Sequence, residues 1–166
     1  MEGYNTSRHT IYKLTYHIIF VTKYRRPVIT KEIGDFMVSL ARHLCNGYGG
    51  ELISGESDKD HIHLLISLPP QCELSVIIRS LKTQLSREVH LHPEYDKIVK
   101  RYLHGKTPLW APSYFVATTG SVSLDIVKEY IESQQTEEHQ RKYEKRSEYW
   151  AGKGNSRSTL RRRHPE

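Results

Sequence analysis

Residues 60–70, DHIHLLISLPP, carry the pattern that most constrains the fold. The run is rich in Ile and Leu, contains no Gly and halts at Pro69-Pro70, so it reads as a strand. Residues two apart on a strand share a face. Ile62, Leu64, Ile66 and Leu68 then form an aliphatic side that belongs in a core, while His61, His63, Leu65 and Ser67 point the other way. Two imidazoles on one strand face lie about 7 Å apart, close enough to hold one ion between them. Taken alone, the same pair reads more readily as plain exposed surface than as a site.

The flanking segments supply the rest of a domain. IYKLTYHIIFVTKY is rich in β-branched and aromatic residues and reads as a strand over residues 11–22. Thr30 can cap a helix from Lys31 to Tyr48, with Ile33, Phe36, Met37, Leu40, Leu44 and Tyr48 at helical spacing and NGYGG as its stop. ELISGES and HIHLLISL, separated by DKD, suit a hairpin. Leu74, Ile77, Ile78, Leu81, Leu85 and Val89 form a second helical stripe ending near His90. Residues 91–112 mix Pro, charge and scattered apolar residues, and are expected to form a long loop with at most one short helix. SYFVATT reads as a further strand, and after Gly120 a long helix follows, capped by Ser121 or Ser123. Strand-helix-strand-strand-helix-strand-helix is the ferredoxin-like, split βαβ order: an α+β fold with an antiparallel sheet and helices on one face.

Composition narrows the class of protein. At 166 residues, 37% of them hydrophobic, the chain can bury a core without staples. Cys45 and Cys72 are its only cysteines and form no C-x-x-C pair, so two reduced thiols in a cytoplasmic setting are expected. No segment approaches the roughly 20 apolar residues of a membrane span, and MEGYNTSRHTIYK lacks the apolar core of a leader. Residues 141–166 hold nine Lys/Arg against three Asp/Glu, which accounts for the entire net charge of +6. The expected division is a domain over residues 1–140 and a basic extension over 141–166, a helix continuation followed by a disordered tail. Such a tail offers bulk attraction to a polyanion, or simply solubility.

The last helix adds reactive groups. In EYIESQ, Tyr130 and Gln134 stand four residues apart and share a helical face at the edge of the Leu124, Val127, Ile131 stripe. Docked on the histidine face, this helix would complete a His-His-Gln site beside a phenol. Docked elsewhere, Tyr130 is an ordinary half-buried tyrosine in a chain that has eleven.

DHIHLLISLPP, LWAPSYFVATTG and YIESQ, in that order and with YHIIFVTKYRRPV ahead of them, resemble the single-tyrosine HUH transposases of bacterial and archaeal insertion sequences. These are the TnpA type, which move DNA as a single strand; the resemblance spans roughly residues 11–140. It implies Tyr130 as nucleophile and His61, His63 and Gln134 as ligands of a divalent ion, Mg²⁺ or Mn²⁺. It also implies an acidic ligand shortly before the first histidine, for which Asp58 is the choice ahead of Glu56 and Asp60. The implied reaction cleaves and rejoins single-stranded DNA at hairpin-containing element ends through a 5′-phosphotyrosine. The implied assembly is a homodimer with composite active sites, in which Gly120 is the hinge of the tyrosine helix. Lys23, Arg25 and Arg26 after the first strand, and Arg79 and Lys82 on the second helix, are the DNA-contact candidates, each equally readable as a solvated charge. Trp110 and Tyr114 could stack on bases, although packing over the sheet suits them better. The residues from His90 to Pro108 and the basic extension depart from the compact family pattern. The extension is similar to that of the REP-associated relatives, domesticated enzymes that act on repeated palindromes.

Two rival classes fit less well. A histidine-triad hydrolase needs a third histidine where this chain has Leu65. A noncatalytic nucleic-acid-binding module would place stacking aromatics where this chain places His61 and His63.

Overall fold

A computed structural model of the protein describes residues 4–104 and 108–118. A small hairpin, β1 (Asn5–Ser7) and β2 (Thr10–Tyr12), precedes the main unit. The main unit runs β3 (Thr15–Val21), α1 (Lys31–Gly47), β4 (Glu51–Asp58), β5 (His61–Ser67), α2 (Leu74–Leu91), α3 (Pro93–Leu103) and β6 (Phe115–Thr118). Its four strands form one sheet in the order β4-β5-β3-β6, every neighbouring pair antiparallel. Strand β5 lies between the ends of the β3-α1-β4 crossover, which is the split βαβ arrangement expected from the sequence. The expected tyrosine-bearing helix and the basic extension lie outside the described residues.

One face of the sheet meets the helices. Ile18 and Phe20 of β3, Leu52 of β4 and Ile62, Leu64 and Ile66 of β5 pack with Ile33, Met37, Ala41 and Cys45 of α1 and with Ile77, Ile78, Leu81, Leu85 and Val89 of α2. Thr30 caps α1 by accepting a hydrogen bond from the Ile33 amide, satisfying one of the orphan donors of the first turn. Helix α1 lies close over β4. A Cβ on Gly34 would fall 2.0 Å from the Ser57 hydroxyl and 3.0 Å from its Cβ, so only hydrogen fits there. Cys45, buried with its thiol pushed up to about 11 by desolvation, and Cys72 are both free.

Two expectations need correction. The strand expected over residues 11–22 is broken at Lys13-Leu14: β2 pairs with β1, and only β3 joins the main sheet. Strand propensity is continuous through this stretch, but burial is not, since Thr10 and Ile11 are exposed while Ile18 to Val21 are fully buried. Residues 93–103, expected within a long loop with at most one short helix, form the three-turn helix α3, which takes up half of that stretch. Pro93 opens it in the first turn, where a backbone amide would have no helical partner anyway, Glu94 and Asp96 occupy that turn and Lys100 and Arg101 the last, matching the helix dipole. Val99 and Leu103 bury one side, a stripe too short to stand out beside the charges.

Trp110 is 5% exposed, packs against Phe20 and donates from its indole Nε1 to the Lys82 carbonyl at 3.1 Å. It belongs to the core, as packing over the sheet required. Lys82 in turn places Nζ against the carbonyl oxygens of Ala111 at 2.7 Å, Ser113 at 3.0 Å and Pro112 at 3.3 Å. Burial pushes its pKa down to about 8, so the ammonium persists at neutral pH and ties α2 to the segment that enters β6. Lys82→Met should lower unfolding free energy by about 1–3 kcal/mol in urea titration, because three carbonyls, two of them part-buried, lose this donor. An unchanged midpoint would mean that the lysine is not structural.

Candidate active site

Strand β5 carries the site through its alternation. Ile62, Leu64 and Ile66 are no more than marginally exposed, whereas His61, His63 and Leu65 are half-buried on the opposite face. Directly paired residues of neighbouring strands share a face, and the register brings Val21 and Asp58 beside His61, and Ile19 and Glu56 beside His63. Both of these acidic candidates therefore flank the imidazoles from β4. Ile19 and Val21, although on the histidine face, are fully buried and pack with Phe115, so this part of the face is dry.

The imidazoles have specific partners. His63 Nε2 lies 2.8 Å from His17 Nδ1, with the rings stacked at 5.1 Å between centroids. His17 stands on β3 diagonally across from His63 and was not among the sequence candidates. Both sides of β3 are apolar, so periodicity could not show that His17, Ile19 and Val21 share the face of His61. Only the strand register shows it. Burial disfavours the His63 imidazolium, and His17 acts the same way by charge, outweighing Glu56, so the pKa of His63 falls below its ordinary value.

His61 is held differently. Its Nδ1 lies 2.8 Å from Asp60 Oδ1, while Asp60 Oδ2 accepts from Arg25 Nε at 2.6 Å. Burial pushes the Asp60 carboxyl up, but the hydrogen bonds from His61 and Arg25 and the Arg25 charge outweigh it and hold the pKa below the usual carboxylate range. Stability from this pair is full above the unfolded carboxyl pKa and is lost as the pH falls through the folded one. Asp58 Oδ1 accepts from the Lys59 amide at 2.7 Å in the β4-β5 turn.

The basic candidates divide. Arg25 is committed to Asp60, Lys23 is 4% exposed, and Lys82 is held by the carbonyls described above. Arg26 and Arg79 are exposed. Tyr114 is 40% exposed. Tyr130 and Gln134 lie outside the described residues. Among the described residues no three His, Cys, Asp or Glu side chains converge as a metal cage. The donor chemistry nevertheless suits a divalent cation in part. His61 is anchored through Nδ1, which leaves Nε2 as its ligating nitrogen, and His63 can offer Nε2 by exchanging its bond to His17. Oxygen ligands on this face can come from Asp58 and Glu56, or from beyond residue 118.

The lowered His63 pKa has a measurable sign. Below the ordinary histidine pKa of about 6.5 the unfolded chain takes up a proton that folded His63 resists, so stability should fall as the pH drops through that value. Urea titrations between about pH 8 and pH 5 should show this decline, and His63→Gln should flatten it. An equally steep decline in the variant would place the titration elsewhere.

Relatives match this sequence and this fold. The family described as "Transposase IS200 like" matches residues 10–134. The chain is 32% identical over 131 residues to the ISDra2 transposase TnpA of Deinococcus radiodurans, covering 79% of this chain and 91% of that protein. It is 30% identical over 130 residues to the transposase for insertion sequence element IS200 of Salmonella typhimurium, covering 78% and 82% respectively. The 1.90 Å crystal structure of a Deinococcus radiodurans R1 protein assigned as a transposase superposes with a TM-score of 0.70 at 32% identity, covering 80% of this chain and 98% of that one. Among the described residues, no helix is long and apolar enough to cross a membrane. A matched stretch that begins on β2, takes in both histidines and extends through Tyr130 and Gln134 leaves one conclusion: the chain belongs to the IS200-like transposase family.

Proposed function

We propose that this transposase cleaves and rejoins single-stranded DNA at hairpin-containing element ends through Tyr130, with the histidine face of β5 as its metal-binding half-site. The observation that carries the reading is the pairing on one face of two half-buried imidazoles with flanking carboxylates, opposite a fully committed core. His61 and His63, with Gln134 and Asp58, are the residues that would hold Mg²⁺ or Mn²⁺. When bound, such an ion neutralises phosphate charge and stabilises the leaving oxygen.

The residues of the chain divide the remaining work. A phenol of pKa about 10 is a weak nucleophile at neutral pH, so Tyr130 must meet the phosphorus in line and give up its proton as the bond forms. The Tyr130 Oη–P bond forms as the P–O3′ bond breaks, and the departing 3′ oxygen takes up a proton. The phosphotyrosine ester retains the energy of the phosphodiester, so a second 3′-OH can reverse the step onto a new strand without ATP. The buried Ile19 and Val21, with the partly buried Phe115 packed against them, keep water from that part of the face and strengthen electrostatic contacts there. A homodimer with composite sites is part of this reading: the segment after Gly120, expected from the sequence to be helical, would carry Tyr130 to the partner's histidine face.

Incubation with labelled single-stranded element ends and Mn²⁺ tests the reading. Wild type should form a covalent protein-DNA band, Tyr130→Phe should form none, and His63→Ala should weaken it at least about tenfold. A band persisting in Tyr130→Phe would move the nucleophile to Tyr143 or Tyr149. DNA binding with no band under any condition would favour a noncatalytic relative that binds repeated palindromes.

A further inference from the structure

His61 reaches the histidine face from a turn whose side chains are committed to one another. Asp60 is only 9% exposed, and both of its carboxylate oxygens are engaged, Oδ1 by His61 Nδ1 and Oδ2 by Arg25 Nε. Its backbone carbonyl accepts from the Thr22 amide at 2.8 Å and the Thr22 hydroxyl at 3.1 Å. Arg25 arrives there on an unusual backbone: Tyr24 and Arg25 have φ of 57° and 50°, the left-handed region that L side chains rarely enter. Two such residues in succession persist where surrounding contacts over-determine them, and here the Arg25 side chain is held by Asp60.

An ionised carboxylate only accepts hydrogen bonds, so the proton in the 2.8 Å contact belongs to His61 Nδ1. A neutral His61 protonated at Nδ1 carries its lone pair on Nε2. Arg25, which has donors and no acceptor, occupies the second oxygen and prevents the carboxylate from turning away. We propose that Arg25 and Asp60 are positioning residues that lock His61 in its Nδ1–H form and present Nε2 for ligation, Arg25 thereby serving the site rather than contacting DNA. This rests on reading the histidine face as a cation site, but the lock itself is a property of the metal-free chain.

The test uses full-length, metal-free protein with ¹⁵N-labelled histidine, observed by long-range proton-nitrogen correlation at about pH 8, above the ordinary histidine pKa. Wild-type His61 should be protonated at Nδ1; protonation at Nε2 would overturn the proposal without any variant. In Asp60→Asn, Arg25 should claim the amide oxygen and leave the amide NH₂ facing His61, so the proton should move to Nε2. Mn²⁺ affinity by calorimetry should fall about tenfold or more. Adding Arg25→Met frees the amide to turn its oxygen toward His61, and the Nδ1–H form should return together with part of the affinity. An unchanged His61 tautomer in Asp60→Asn, or no reversal in the double variant, would overturn the lock. A tautomer that inverts and reverts while Mn²⁺ affinity stays constant would instead contradict the cation-site reading.

Discussion

The alternation of β5 is the constraint on which both the core and the site depend. Ile62, Leu64, Ile66 and the adjoining Leu68 are at most 2% exposed, and each such side chain contributes about 1.5–3 kcal/mol by leaving water. A one-residue slip of register would expose all four and drive His61 and His63 into the core without partners. The same burial that stabilises the sheet therefore fixes which way the histidines face. Because β5 is paired on both edges, by β3 and β4, it also receives neighbours on that face from both sides. His17 comes from one strand, Glu56 and Asp58 from the other.

The two histidines are not equivalent. His61 leans on Asp60 and through it on Arg25, so a fixed negative charge sets its orientation. Among the described residues His63 has only another imidazole within hydrogen-bond distance, and it sits beside fully buried Ile19, which favours its neutral form. Neutral imidazoles are what a divalent cation requires: burial favours that form at His63, while at His61 the Arg25–Asp60 pair fixes the orientation of the ring. The turn at Tyr24-Arg25 extends this arrangement into the backbone.

Much of this was legible in the sequence where one physical rule acted alone. Period-two alternation placed the β5 histidines opposite the aliphatic core, Thr30 marked the start of α1, and the apolar stripe from Leu74 to Val89 marked α2. Legibility failed where two rules competed or where the outcome depended on long-range pairing. Helix α3 was obscured because capping and dipole signals were spread among Pro93, charged residues and a short apolar stripe. The break before β3 was obscured because residues 10–21 have uniform strand propensity and differ only in burial. His17 could not be assigned to the site because β3 is apolar on both faces. Arg25 and Lys82 read as exposed cations available to DNA, since nothing local shows that one meets a carboxylate 35 residues away and the other a cluster of carbonyls about 30 residues away.

The central claim is that the histidine face of β5 holds a divalent cation, and crystals grown or soaked with Mn²⁺ test it most directly. An anomalous difference map should show a peak bonded to both His61 and His63, with oxygen ligands completing the shell. A map with Mn²⁺ bound only elsewhere, or with none on this face while DNA cleavage proceeds, would contradict the account.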